Sequence, residues 1–330
     1  MKICIVGAGA VGGFVGVMLA RAGHEVSLVA RGAHLAAMRA GGVRLETGGK
    51  TLTAHPAVSD DPAAFGPQDI VILSVKAPAL CDVARRIGPL LGPETPVVTA
   101  MNGLPWWFFT GFAHEFGDRV PACIDPDGGL AESIAIERII GCVVHLGCSV
   151  PEPGVIRHGA GNHLILGEPS GEASERAECL AAALTGAGFG AAVSPRIRQD
   201  YWLKLLGNFN FGPVSVLTGA TNEEIASDPG VRQFLAATMA EAIRVGERFG
   251  LEPGMSIEER IDLGAALGAF KTSMLQDFAK GRPLEIDTIV KVVAEMGAIA
   301  GEPTPMVDAM LALLAQKARL AGLYGGAAGG

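Results

Sequence analysis

Lys204 and Asn208 are the polar side chains of an otherwise apolar segment, WLKLLGN, at residues 202–208. Residues four apart lie on one face of a helix, so both side chains project to the same side. A lysine on such a helix either extends its amine to bulk water or directs it into a cleft. In a cleft, an ammonium group can protonate a ketone oxygen during reduction and stabilise its developing charge.

Glu285 and Ser273 each have two interpretations. Glu285 follows Gly-Arg-Pro, where one predicted helix ends and the next begins. It is either a first-turn acid favoured by the helix dipole, or an acceptor that holds a substrate hydroxyl or orients the lysine. Ser273 begins the run SMLQD and is either an N-cap or a hydrogen-bond donor to a substrate carboxylate. The residues alone leave these alternatives open.

Lys76 and Asn102 directly follow the predicted strands 70–75 and 96–100. Open α/β sheets bind ligands at the carboxyl ends of their parallel strands, which makes both residues candidate binding residues. Ordinary turn chemistry is the alternative.

A glycine-rich turn near the start of the chain matches the pattern G-x-G-x-x-G. Its residues are Gly7, Ala8, Gly9, Ala10, Val11 and Gly12. The first glycine permits a tight turn, the second lets the backbone approach a pyrophosphate, and the third lets the helix pack on the strand. The turn follows a predicted strand at 3–6 and begins a predicted helix, whose N-terminus favours phosphates. These six residues are therefore predicted to bind a dinucleotide.

Arg31 lies at the end of the second predicted strand, 25–30, where the choice between NAD and NADP is made. A carboxylate there would bind the ribose 2′-hydroxyl of NAD, whereas a guanidinium attracts a 2′-phosphate. The residue favours NADP(H) as the cofactor. The alternative is a solvated loop charge.

Strand and helix patterns alternate in the first part of the chain, with further strands at 143–146 and 163–166. This alternation predicts an α/β Rossmann domain, a doubly wound parallel sheet. Long helical patterns follow, at 200–208, 231–249, 255–270, 273–280, 284–300 and 306–321. We expect an NADP-binding domain at 1–195 and an all-α substrate and catalytic domain at 196–330, with 186–199 as the connection.

Composition restricts the partners. The formal net charge of −8 over 330 residues excludes nucleic-acid binding, and a 49% hydrophobic content excludes a disordered chain. Six cysteines lack the spacing of a zinc site, so no metal is predicted and a reducing, cytoplasmic compartment is expected. The apolar run 3–20 contains five glycines, which favours a strand, turn and helix over a membrane span. A small molecule is the expected partner, and a homodimer remains open.

Together these segments resemble the ketopantoate reductase (2-dehydropantoate 2-reductase) family. The resemblance rests on GAGAVG, Arg31, SVKA with Lys76, MNG with Asn102, KLLGN, and SMLQDFAKGRPLEID. It implies NADPH-dependent reduction of the 2-keto acid 2-dehydropantoate to pantoate, a step of pantothenate and coenzyme A biosynthesis.

The same resemblance implies a role for each candidate residue. Lys204 would be the general acid, and Glu285 would bind the substrate together with Asn208 and Ser273. Asn102 would lie at the nicotinamide end, close to cofactor and substrate, with Lys76 nearby. Arg31 would contact the 2′-phosphate.

Two positions depart from the family pattern. Family members carry Asn four residues after the position of Asn208 and three residues before that of Ser273, whereas this chain has Gly212 and Phe270. Pro213 follows Gly212, so the helix is expected to end or kink there. Asn210 lies off the relevant helix face. The loss of each polar partner costs roughly 1–3 kcal/mol of substrate binding free energy. The identity of the substrate is therefore not fixed by the resemblance.

Two other functions are compatible with these residues. β-Hydroxyacid dehydrogenases also use a Lys-x-x-x-Asn helix, although they do not account for the segment from Ser273 to Glu285. An NADP(H)-binding regulator without catalysis would explain Gly212 and Phe270. A separate aromatic segment, Trp106-Trp107, is either a wall of the substrate site, an oligomer contact, or simple packing.

Overall fold

The computed structural model describes residues 1–111 and 115–325. This part of the chain folds into two units. The first comprises Met1–Asn102 and Gly128–Ile197, and the second comprises the described residues of Gly103–Asp127 and those from Arg198 onward. The first unit ends at Ile197, where the sequence predicted a boundary at 195. Residues 103–127 carry no long helical pattern, and their place in the second unit was not predicted.

The strands described in the first unit form one ten-stranded sheet. Its strands are β1 (Lys2–Val6), β2 (Glu25–Val29), β3 (Val43–Thr47), β4 (Lys50–Ala54), β5 (Ala57–Ser59), β6 (Ile70–Leu73), β7 (Val97–Thr99), β8 (Ile139–Glu152), β9 (Val155–Gly167) and β10 (Gly190–Val193). The strand order is β4-β3-β9-β8-β7-β6-β1-β2-β5, and β10 pairs with the free side of β9 along part of its length.

Six strands, β5-β2-β1-β6-β7-β8, are parallel to their neighbours, which confirms the predicted doubly wound α/β fold. Chain order proceeds outward from β1 in both directions. The carboxyl ends of β1 and β6 therefore form the switch point at which such sheets bind ligands. The four residues of β6, Ile70–Leu73, are all buried, as expected for a strand covered on both faces.

The other side of the sheet departs from the prediction. β8 and β9 form a long antiparallel hairpin, and β3 and β4 form a second one. The sequence indicated only 143–146 and 163–166 of the long hairpin, because residues 157–163 of β9 are mostly exposed and contain no run of apolar strand formers. β10 lies within the predicted connection 186–199. Its small residues carry little strand preference, and backbone pairing with β9 defines it.

Helices cover this sheet and make up the second unit. Those of the first unit are α1 (Ala10–Arg21), α2 (Gly32–Gly41), α3 (Leu80–Ala84), α4 (Gly129–Ser133) and α5 (Glu175–Gly186). Those of the second unit are α6 (Ile197–Thr218), α7 (Asn222–Ser227), α8 (Pro229–Arg248), α9 (Ile257–Ala265), α10 (Ser273–Ala279), α11 (Val292–Ala300) and α12 (Pro305–Leu320). A π-helix, Asp287–Lys291, leads directly into α11. Among the described helices, none combines the length and apolarity that a membrane span requires.

Helix α6 continues through Pro213 to Thr218. The sequence predicted that the helix ends or kinks at this proline, and the predicted end was wrong. Proline removes one backbone hydrogen bond, but tertiary packing stabilises this helix on both sides of that position. Phe209, Phe211 and Val214 are all at most 4% exposed. The Ser215 hydroxyl also donates to the carbonyl oxygen of Gly212 at 2.7 Å.

The aromatic segment that contains Trp106 and Trp107 has a packing role within the second unit. Residues Trp106–Phe109 form a short 3₁₀ helix, and all four are buried. The ring of Trp107 meets that of Tyr201 edge to face, with 5.4 Å between centroids. Arg198 donates to the carbonyl oxygens of Phe108 and Thr110, at 2.8 and 2.6 Å. These contacts attach the segment to the start of α6.

Candidate cofactor and catalytic residues

The glycine turn closes tightly over the end of β1. Gly7 has a φ of +102°, a conformation that favours glycine, and a Cβ there would lie 2.7 Å from the carbonyl oxygen of Ser74. The amides of Gly7 and Ala8 both donate to the carbonyl oxygen of Val29, at 3.1 Å. Only glycine fits the first position of the motif.

The other two glycines have contrasting surroundings. A Cβ at Gly12 would collide with the carbonyl oxygen of Gly7 and lie 3.0 Å from a methyl group of Ile5. A Cβ at Gly9 would meet no described atom within 4 Å. Gly9 is the N-cap of α1 and offers no side chain to the free amides of the first turn. The helix N-terminus therefore faces open space, which fits a pyrophosphate.

A cavity of about 200 Å³ lies beside this turn and is lined in part by Gly7, Ala8, Gly9 and Arg31. Arg31 is the exposed N-cap residue of α2. Within residues 1–111 and 115–325, no hydrogen bond or ion pair engages its guanidinium group. An uncompensated guanidinium at this position fits the 2′-phosphate of NADP(H).

Arg86 lines the same cavity and was missed in the sequence. It follows α3, and its Nη2 donates to the backbone carbonyl of Asp60 at 3.0 Å. That bond leaves further guanidinium donors for a ligand. An arginine pair at positions 85 and 86 gives no indication of which one faces the cavity until α3 is placed. In the structure, Arg86 lines the cavity and Arg85 does not.

Lys76 follows β6 and Asn102 follows β7, two neighbouring parallel strands. Both residues lie beyond the carboxyl ends of these strands, the same end of the sheet at which the glycine turn follows β1. Both residues are half-buried. Lys76 immediately precedes a short 3₁₀ helix, Ala77–Ala79. Their predicted location at strand ends is therefore observed, whereas their ligand contacts stay a prediction.

In the second unit, helix α6 presents one partly accessible stripe in a buried surface. Lys204, Gly207 and Asn208 are half-buried, whereas Leu205 and Leu206 are buried. Because α6 continues to Thr218, Gly212 lies on the face of Lys204 and Asn208, one turn further along. A Cβ at Gly212 would lie 3.7 Å from the side chain of Met274 in α10. The start of α10 therefore borders the far end of this face.

Asn210 does not replace the missing asparagine on this face. Its side-chain nitrogen donates to the carbonyl oxygen of Leu235 at 3.0 Å, and its oxygen accepts from the Thr238 hydroxyl at 2.8 Å. Asn210 is fully buried and holds α6 to α8. This agrees with the expectation that it lies off the relevant face.

The N-cap interpretation of Ser273 was wrong. Thr272 is the N-cap of α10, and its hydroxyl accepts from the amide of Leu275 at 3.1 Å. Ser273 is the first helical residue and is exposed, and its hydroxyl makes no hydrogen bond with the described residues. The hydroxyl is available to a ligand.

Glu285 is half-buried and immediately precedes the helical residues that begin at Ile286. It therefore lies outside the first helical turn that one interpretation assigned to it. The next residues form a π-helix, a feature that often occurs at functional sites. Gly103, with a φ of +79°, packs against Thr288 of this π-helix, where a Cβ would lie 2.6 Å from Thr288. The amide of Leu104 donates to the Thr288 carbonyl at 3.0 Å.

Phe270 lies in the loop between α9 and α10 and is 42% exposed. Its carbonyl oxygen accepts from the amide of Asn222 at 3.0 Å, which fixes the backbone of the loop. An exposed aromatic ring three residues before Ser273 adds apolar surface where the family pattern has an amide.

Two family profiles match this chain. The profile described as "Ketopantoate reductase PanE/ApbA" matches residues 3–171, and its C-terminal counterpart matches residues 196–318. A 2-dehydropantoate 2-reductase from Mesorhizobium japonicum is 44% identical over 326 residues, which cover 98% of this chain and 100% of that protein.

Solved structures give the same result. One from Ralstonia solanacearum MolK2, with a provisional description as a ketopantoate reductase, has 49% identity and a TM-score of 0.93 and covers 98% of this chain and 99% of its own. The 2-dehydropantoate 2-reductase of Geobacter metallireducens has 28% identity and a TM-score of 0.83, with coverages of 96% and 99%. These matches confirm the predicted family and its two-part architecture. The chain belongs to the ketopantoate reductase PanE/ApbA family.

Proposed function

We propose that this protein is an NADPH-dependent 2-dehydropantoate 2-reductase that forms pantoate, a step of pantothenate and coenzyme A biosynthesis. The observation that carries this proposal is the 44% identity to the Mesorhizobium japonicum enzyme over the full length of both chains. All six cysteines lie among the described residues and form no disulfide there, which supports a cytoplasmic location.

The first unit supplies the cofactor residues. The turn from Gly7 to Gly12 holds the pyrophosphate on the N-terminus of α1. Arg31 and Arg86 hold the 2′-phosphate. Lys76 and Asn102 bind the cofactor at the carboxyl ends of β6 and β7. Bound NADPH supplies the hydride that reduces the ketone carbon.

The second unit supplies the proton and the substrate contacts. The Lys204 ammonium donates a proton to the ketone oxygen and stabilises the negative charge that develops there. Asn208 and Ser273 donate hydrogen bonds to the polar groups of the substrate. Glu285 accepts a hydrogen bond from the substrate hydroxyl.

A related substrate is the second candidate, and Gly212 and Phe270 are the observations that favour it. Gly212 leaves no polar group at the end of the Lys204 face, and Phe270 adds an exposed ring. A 2-keto acid with a larger apolar substituent would be less affected by these losses than 2-dehydropantoate, whose hydroxyl needs a partner.

The test is NADPH oxidation, followed at 340 nm, with 2-dehydropantoate and with a panel of other 2-keto acids. The proposal expects the highest kcat/KM for 2-dehydropantoate and pantoate as the product. Turnover of another 2-keto acid alone would establish the second candidate. Tight NADPH binding with no turnover of any keto acid would instead indicate a regulator.

A further inference from the structure

His34 connects the glycine turn to the sheet. It is the third residue of α2, and its Nε2 lies 2.7 Å from the carbonyl oxygen of Ala8. The amide of Gly154 donates to Nδ1 at 2.9 Å. A backbone amide can only donate, so Nδ1 must be unprotonated. The ring is then neutral, carries its proton on Nε2, and donates it to Ala8.

The Gly154 side of this connection is firmly held. Gly154 lies in the turn between β8 and β9, with a φ of +80° that favours glycine. Its carbonyl oxygen accepts from the amide of Arg44, next to β9 in the sheet, at 2.9 Å. The hydrogen bond from Gly154 therefore orients the imidazole. The oriented imidazole in turn fixes the direction of the Ala8 carbonyl through its own hydrogen bond.

The bond to Ala8 determines how the next amide points. The peptide unit between Ala8 and Gly9 is planar and trans, so its carbonyl and its N–H point in opposite directions. A carbonyl held towards His34 keeps the amide of Gly9 directed away from the ring. Gly9 is the N-cap of α1 beside open space, and its amide is one of the donors that a G-x-G-x-x-G turn offers to a pyrophosphate.

We infer that His34 is a positioning residue for the cofactor, resting on the proposed use of NADPH. It fixes the peptide of Ala8 and Gly9 before the pyrophosphate arrives. His34 lies three residues after Arg31 and lines the same cavity. It therefore ties the pyrophosphate turn to the start of α2, which carries the candidate 2′-phosphate ligand. This preorganisation lowers the cost of binding.

Two substitutions separate the two bonds. In His34→Gln, the side-chain amide nitrogen approximates Nε2 and retains the donor to Ala8. In His34→Asn, the amide oxygen approximates Nδ1 and retains only the acceptor for Gly154. Both replacements are neutral, lack the imidazole ring and are smaller in volume than histidine, so each controls for the other.

The dissociation constant of NADPH is measured by fluorescence titration without keto acid. We expect it to rise about ten-fold in His34→Asn and less than about three-fold in His34→Gln, as expected for the loss of one oriented hydrogen bond. The kcat at saturating NADPH should stay within about two-fold of wild type in both variants, because the bond acts on cofactor binding. Equal weakening in the two variants, weaker binding in His34→Gln, or no NADPH binding by the wild type would overturn the inference.

A second measurement needs no cofactor. Nitrogen-15 NMR of the histidine side chains, compared with His34→Gln, should assign to His34 an unprotonated Nδ1 and a protonated Nε2 at neutral pH. The opposite tautomer or a charged ring would overturn the inference. Normal reduction of 2-dehydropantoate with unchanged NADPH affinity in His34→Asn would refute the role of His34 alone. The expected affinities without any keto acid reduction would refute the proposed function alone.

Discussion

Two arginines in one cavity make the choice of cofactor a question about single side chains. Arg31 could be predicted from the sequence as a candidate 2′-phosphate ligand, because it lies at the end of the second strand, where such folds distinguish NAD from NADP. Arg86 could not be predicted in this way, because its relevance depends on where the fold places it relative to Asp60 and the glycine turn. Asp60 holds Arg86 through a backbone carbonyl, so the charge of the guanidinium is not neutralised by that bond.

Arg31→Ala and Arg86→Ala should each raise the KM for NADPH by about ten-fold or more, since a charge-assisted hydrogen bond to phosphate is lost. The KM for NADH should change little, because NADH has no 2′-phosphate. Arg85→Ala is the matched control, since Arg85 is adjacent and does not line the cavity. Equal weakening of both cofactors would contradict the assignment.

Lys204 occupies an accessible stripe on a buried helix, which is the position that a proton donor requires. Lys204→Ala should lower kcat by about two orders of magnitude or more, while the dissociation constant of NADPH stays unchanged. Lys204→Arg serves as a control that keeps the positive charge but releases its proton poorly. Near-normal turnover of Lys204→Ala would remove this residue from the mechanism.

At the scale of elements, α1 and β1 were predictable because the three glycines constrain both local conformation and packing. Gly12 is required by the close approach of helix and strand, and Gly9 is left open for a ligand. The two glycines therefore differ in what an added methyl group would disturb.

Gly12→Ala should destabilise the protein by about 1–3 kcal/mol, because its methyl group has no space between Gly7 and Ile5. Gly9→Ala should leave the Tm close to that of wild type and weaken NADPH binding, because its methyl group would occupy the space proposed for the pyrophosphate. Thermal melts without cofactor and NADPH titrations of both variants test this contrast. A large fall in the Tm of Gly9→Ala would show that the open space is needed for folding.

Elements that depend on tertiary contacts were predicted less well. Pro213 carries a strong local preference against a helix interior, yet burial of the residues around it overrides that preference. The small residues of β10 have no strand pattern, and only the exposed backbone of β9 makes them a strand. The N-cap of α10 is Thr272, whereas the sequence also suggested Ser273. Both residue types can cap a helix, and only the hydrogen bond from the amide of Leu275 distinguishes them.

At the scale of the whole molecule, alternating strands followed by long helices predicted both units. The sequence did not indicate that the described residues of 103–127 belong to the helical unit. That association depends on buried aromatic rings and on Arg198, which donates to two backbone carbonyls of the segment. Aromatic residues in a loop indicate burial but not the surface against which they pack.

The distribution of the six cysteines, which form no disulfide among the described residues, gives a test of the whole fold. Cys179 is exposed on α5, whereas burial raises the pKa of Cys4 to about 12 and that of Cys148 to about 12. Burial and the nearby carboxylate of Glu295 also raise the pKa of Cys123. A raised pKa keeps a thiol protonated at pH 8, and the thiolate is the reactive form.

A disulfide reagent at pH 8 should therefore react fastest with Cys179, and Cys179→Ser should abolish that fast phase. In denaturant all six thiols should react, because the fold alone protects the others. Since these pKa values are raised, protection of Cys4 and Cys148 by protonation should hold through neutral pH and weaken only as the pH approaches 12. Fewer than six reactive thiols in denaturant would reveal a disulfide, and a fast phase that survives Cys179→Ser would mean that another cysteine is accessible in the folded protein.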